Sequence, residues 1–146
     1  DQLILNQAID NFKINSYSQS LDIKNFDISF ARGLSLEDGC ATITNFTGYL
    51  IAEGLKFISQ KNSILILLSG GGRKNINLVD CIKNYLSKEN NITLETIDNY
   101  NLNGDYIESQ AFGFLAIRSY LNLPISFNST TGCDEFTVGG ILVENF

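Results

Sequence analysis

Ile64-Leu65-Ile66-Leu67-Leu68-Ser69-Gly70-Gly71-Gly72-Arg73-Lys74-Asn75 is the stretch on which the fold of this chain turns. Residues 64–68 form an unbroken apolar run closed by glycine. That is the pattern of a strand buried on both faces, as in a parallel sheet covered by helices. A helical period follows from near Asn75, with apolar residues at Ile76, Val79, Ile82 and Leu86. Strand, glycine turn and helix together set bare backbone and a helix N-terminus beside a ligand. Glycine has no Cβ, so a flat base, a ribose or a phosphate can approach the main chain. The first amides of the helix are unpaired, and the dipole favours negative charge. The spacing is not Gly-x-Gly-x-x-Gly, and no Gly-Lys-Ser/Thr follows to make a Walker A loop. Two readings stand at this point: a tight turn with no ligand, and a ligand cradle.

Working outward, the helix is expected over residues 75–88, with Lys83 and Lys88 suited to its C-terminal dipole. Residues 92–97 alternate apolar and polar and read as a second strand. Strand, helix, strand at this spacing predicts a βαβ crossover and parallel pairing. Upstream, Ser35 is a good N-cap with Asp38 at N3, opening a helix that runs to about Gln60. Gly48 and Gly54 within it are read as sites of close packing. Downstream, Asp105 is expected to cap a helix that is apolar nearly all round and therefore heavily buried. Glu108 in its first turn is either a dipole partner or, facing a cleft, a hydroxyl-binding or acid/base group. Residues 138–143 suggest a short strand or an extended segment, and residues 10–34 are irregular.

The totals bound the function. A chain of 146 residues with 44% hydrophobic and 18% charged residues suits one globular domain. A net charge of −6 argues against a nucleic-acid binder, which usually carries a basic face. There is no histidine, which excludes Ser-His-Asp and Cys-His catalysis. Cys40, Cys81 and Cys133 are far apart and odd in number, so neither a metal site nor a disulfide framework is expected. Reduced thiols, no membrane-length apolar stretch and no signal peptide together predict a cytoplasmic protein. The chain begins at Asp1 and is read as a fragment, a processed product or an excised domain.

Three blocks in order then resemble the C-terminal part of anhydro-N-acetylmuramic acid kinase, an actin-like sugar kinase. The first is Leu34-Ser35-Leu36-Glu37-Asp38 through Ala41-Thr42 and Phe46-Thr47. The second is Gly70-Gly71-Gly72 with Lys74 and Asn75, similar to the family's Gly-Gly-Gly-x-Arg-Asn adenosine motif. The third runs Gly104-Asp105-Tyr106-Ile107-Glu108-Ser109-Gln110-Ala111-Phe112, then Leu115-Ala116, Arg118, Leu123-Pro124 and Ser129–Gly132.

The resemblance implies an α/β fold, part of a ribonuclease H-like (actin-like ATPase) domain, with a small, mostly parallel sheet and flanking helices. Residues 1–146 would be a single or partial domain, the C-terminal nucleotide-binding segment. The implied reaction uses ATP and Mg2+. It hydrolyses the anhydro ring of 1,6-anhydro-N-acetylmuramic acid and phosphorylates the sugar to N-acetylmuramic acid 6-phosphate, in peptidoglycan recycling. By the resemblance, Gly70, Gly71 and Gly72 pass under the ribose and α-phosphate, Asn75 holds the turn or touches the nucleotide, and Glu108 faces the sugar.

The family's phosphate-binding hairpin and catalytic aspartate have no counterpart in these residues, so no catalytic residue is assigned. Lys74 stands where the motif has arginine and lacks its planar fork. The implied partners are ATP, an anhydro amino sugar and a missing N-terminal kinase half. The alternative is a non-catalytic nucleotide- or sugar-binding relic, self-sufficient if residues 138–143 or a homodimer cover the sheet edge. A Rossmann-type dinucleotide binder is disfavoured by the glycine spacing.

Overall fold

The structure is a computed structural model that describes residues 1–12, 26–60 and 62–143. Its elements are helix α1 (Gln2–Asn11), helix α2 (Leu36–Ser59), strand β1 (Ile64–Leu68), helix α3 (Ile76–Tyr85), strand β2 (Ile92–Thr96), helix α4 (Ile107–Tyr120) and the single turn α5 (Asn128–Thr131). Short 3-10 turns occupy Ser29–Ala31, Gly71–Lys74 and Ile97–Tyr100. The class is α/β, as expected. Most of the irregular stretch expected over residues 10–34 lies outside the described residues.

Helix α2 is the spine. Ser35 caps it by accepting from the Asp38 amide at 3.1 Å. Gln60 ends it in the left-handed conformation. At 24 residues it spans about 36 Å, at about 1.5 Å per residue. That length serves two cores. Its first half buries Phe46 against Leu5 and Ala8 of α1, with Phe12 and Phe30 edge-on to the Phe46 ring. Its second half buries Ala52 against Ile82 and Leu86, which Leu55, Leu78, Tyr85, Ile92 and Leu94 complete.

Gly48 is where α2 meets α3. A Cβ on it would stand 2.7 Å from the Cys81 Cβ, closer than carbon atoms approach. The close packing expected at Gly48 is therefore present.

The two strands pair in parallel, from Ile64 beside Ile92 to Leu68 beside Thr96. A parallel pair cannot be joined by a hairpin, so α3 makes the crossover between them. In this register Ile64, Ile66 and Leu68 share a face with Ile92 and Leu94, and that face meets α2 and α3. The opposite face is open: Leu65 is 47% and Leu67 38% exposed. Burial on both faces was expected for β1. The structure corrects this, because α2 and α3 both lie on one side of the sheet.

Two further expectations are corrected. Helix α4 has no buried residue, and Phe112, Phe114, Ile117 and Tyr120 are each more than half exposed. Arg118 of this helix donates to the Pro124 carbonyl at 2.7 Å and lies over the rings of Phe114 and Phe127. Asp105 does not cap α4: Tyr106 holds the N-cap position without a side-chain bond, and the Asp105 carboxylate is engaged elsewhere. Residues 138–143 form no strand, and β1 pairs only with β2 among the described residues. No helix among the described residues is long and apolar enough to cross a membrane.

Two glycine substitutions should differ in sign. Gly113, inside α4, has open space where its Cβ would be. Gly113→Ala should raise stability by about 1 kcal/mol through helix propensity. Gly48→Ala should lower it by about 1–3 kcal/mol, because the added methyl overpacks against Cys81. Urea denaturation midpoints of the two variants check this.

Candidate functional site

In a parallel α/β sheet, ligands bind beyond the carboxyl ends of the strands. Here both carboxyl ends point the same way, so the turns that follow β1 and β2 lie side by side. The turn after β1 begins at Gly70, with φ 73°, a conformation that glycine adopts without strain. Gly71 and Gly72 continue into the Gly71–Lys74 3-10 turn, and Asn75 then caps α3 by accepting from the Leu78 amide at 3.1 Å. A Cβ at Gly70, Gly71 or Gly72 would meet nothing within 4 Å. Gly71 and Gly72 also lack the positive φ of Gly70. Among the described residues, neither φ nor a close neighbour demands glycine at these two positions.

Arg73, next in the chain, ties this turn to its neighbours. Its side chain is 7% exposed. Nε and Nη2 donate to the two oxygens of Asp98, at 2.7 and 3.1 Å. Nη1 donates to the Gly70 carbonyl at 2.8 Å and to Asp105 Oδ1 at 2.7 Å. Four of the five guanidinium N–H groups are thus engaged. Asp98 lies in the turn after β2, and Asp105 in the approach to α4.

Gly104 lets the fork pass: a Cβ there would lie 2.6 Å from Arg73 Cζ. The Gly104 carbonyl accepts from the Gly70 amide at 2.8 Å, and its amide donates to Asp98 Oδ1 at 3.3 Å. Lys74 adds a second, exposed pair to Asp105 Oδ2 at 2.7 Å. An exposed lysine pair of this kind contributes little alone.

These contacts account for the electrostatics. Hydrogen bonds from Arg73 hold the Asp98 carboxyl at about 2, below its ordinary 3.8. Arg73 and then Lys74 lower Asp105 in the same way, and the two carboxylates raise Arg73 in return.

Glu108 sits exposed in the first turn of α4, four residues beyond the Gly104 that the glycine turn bonds. The structure therefore joins the glycine turn to the start of α4 through the backbone and through Arg73. Arg73, Asp98 and Gly104 were not read as parts of this site from the sequence. The available signal was an arginine directly after three glycines, with an acid in each of the two later turns.

Similarity to known proteins bears on the site. The family model described as anhydro-N-acetylmuramic acid kinase matches residues 11–144. A protein of that name from Pelagibacter ubique is 48% identical, over 99% of this chain and 40% of its own length. One from Zymomonas mobilis is 38% identical over 84% of this chain and 32% of its own. One from Rhizobium rhizogenes is 36% identical over 88% of this chain and 33% of its own. The chain spans two fifths or less of the length of these relatives.

The lowered carboxyl groups set a pH window. Unfolded Asp98 takes up its proton near 3.8, and the folded form holds out to about 2. Its stabilising contribution is complete above about pH 4 and is lost as pH falls through about 2. Thermal midpoints between pH 5 and pH 2 should therefore fall more steeply for the wild-type chain than for Asp98→Asn.

Proposed function

Because the chain belongs to the anhydro-N-acetylmuramic acid kinase family, we propose that it supplies the nucleotide-binding C-terminal part of an ATP-dependent sugar kinase. The observation that carries this reading is the pair Gly71 and Gly72. Neither needs glycine for its own φ, and neither faces a neighbour within 4 Å. A nucleotide laid against this turn supplies the missing reason, because a bare backbone admits the ribose and α-phosphate. Asn75 keeps α3 starting at the turn, so the first amides of that helix face the phosphates. Glu108, exposed in the first turn of α4, offers its carboxylate to a sugar hydroxyl.

The reaction proposed for the whole protein opens the anhydro bridge of 1,6-anhydro-N-acetylmuramic acid with water and transfers the γ-phosphoryl group to the freed oxygen. Its place is cytoplasmic peptidoglycan recycling. Positioning and charge neutralisation carry most of phosphoryl transfer, and this segment contributes positioning. Asp98 and Asp105 are engaged by Arg73, so neither serves as the base. No group of three or more acidic or sulfur ligands able to hold a metal occurs among the described residues. Mg2+ would accompany the ATP, and no part of the reaction is assigned to it through this chain.

The open faces fit the same reading. Leu65 and Leu67 on β1, and Phe112, Phe114, Ile117 and Tyr120 on α4, form more exposed apolar surface than a self-sufficient domain usually leaves. The relatives carry more than half their length outside the matched part, and we assign that length to covering these faces. A homodimer is the alternative cover, and a non-catalytic binding relic the alternative role.

Two measurements test the proposal. Calorimetric titration of ATP should show binding to the wild-type chain and at least a tenfold loss of affinity in Gly72→Ala. The thermal midpoint of that variant should be unchanged or raised, since alanine at a relaxed φ reduces the unfolded chain's freedom. No binding by the wild type, or equal binding by the variant, defeats the nucleotide reading. In sedimentation velocity the chain should self-associate through its open faces; a monodisperse monomer would argue against an uncovered partner surface.

A further inference from the structure

We infer that Arg73 is a positioning residue that acts on bound nucleotide without touching it, by locking the glycine turn to the turn that starts α4. The nucleotide cradle and the Glu108 segment then respond as one unit. The inference rests on the nucleotide reading above and adds a residue and a coupling to it.

The geometry carries it. Three turns from distant parts of the sequence meet on one guanidinium: the Gly70 carbonyl, both oxygens of Asp98 and one oxygen of Asp105. The donors are spent inward, which leaves little of the fork for a phosphate. The packing is tight enough that Gly104 has no room for a methyl beside the guanidinium. The Gly70 amide bonds the Gly104 carbonyl directly, so the backbone of the turn and the approach to α4 are joined twice.

A planar fork is required for this arrangement. Lysine keeps the charge but cannot hold Asp98 side-on while reaching Gly70 and Asp105. Lys74 does not substitute, since its ammonium reaches only Asp105 and is 60% exposed. A rigid element that two ligands both bias is the physical requirement for coupling between their sites.

The test is hydrogen exchange, read by mass spectrometry, on the 146-residue chain with and without ATP. In the wild type, ATP should slow exchange in two segments, residues 70–75 and residues 104–110. In Arg73→Lys the slowing should be confined to residues 70–75, with ATP affinity reduced tenfold or more. Asp105→Ala removes the Arg73 and Lys74 side-chain bonds to the approach to α4 and leaves the Asp98 pair in place, so it reports even if Arg73→Lys folds poorly. It should show the same confinement.

A purely structural role would lower the thermal midpoint yet leave ATP protecting both segments. Protection of both segments in either folded variant, at wild-type affinity, overturns the inference and leaves the nucleotide reading standing. A wild-type chain that binds no ATP overturns both.

Discussion

Strands β1 and β2 run in the same direction, from Ile64 beside Ile92 to Leu68 beside Thr96, and a parallel pair cannot close through a hairpin. The chain must leave the sheet at Leu68, cross over it and re-enter at Ile92. Helix α3 is that crossover, and its Ile82 packs with Ala52 of α2 beneath the sheet. The same constraint brings the turns after β1 and β2 to one end. The glycine turn and the Asp98 turn are neighbours because the strands are parallel. An antiparallel pair would have sent them to opposite ends.

What occupies that end is a division of labour between glycine and arginine. Gly70 supplies a backbone shape, Gly71 and Gly72 supply open space, and Gly104 supplies the gap through which the Arg73 side chain runs. Arg73 converts these openings into a defined shape by holding three turns at once. Its partners are partly exposed, so solvent screens each pair, and the geometric restraint matters more than the strength of any one ion pair.

The uncovered faces belong to the same picture. A parallel sheet ordinarily has helices on both faces, yet β1 turns Leu65 and Leu67 outward and α4 buries none of its residues. The chain belongs to a family whose named members are more than twice its length. Helix α4 has the composition of a core helix and the surroundings of a surface one. Composition reports the environment for which a helix is suited, and the described contacts report only the neighbours present.

Much of the framework was legible in the residues. Parallel pairing followed from the strand, helix, strand order, and Ser35 capping α2, Asn75 at the start of α3 and the glycine turn are encoded within a few residues of where they act. Local rules suffice there, because a cap or a turn involves bonds between residues two to four apart. The motif blocks of residues 34–47, 70–75 and 104–124 likewise carried the family. The sequence did not determine which faces are covered, since an apolar run such as residues 64–68 reads the same whether one side or both meet a helix. It also pointed Asp105 toward the wrong partner. A carboxylate before a helix is a good cap by local rules, but an arginine 32 residues away engages it instead. Only the tertiary structure decided that, because parallel pairing brings the two turns together, and an ion pair depends on distance in space and not along the chain.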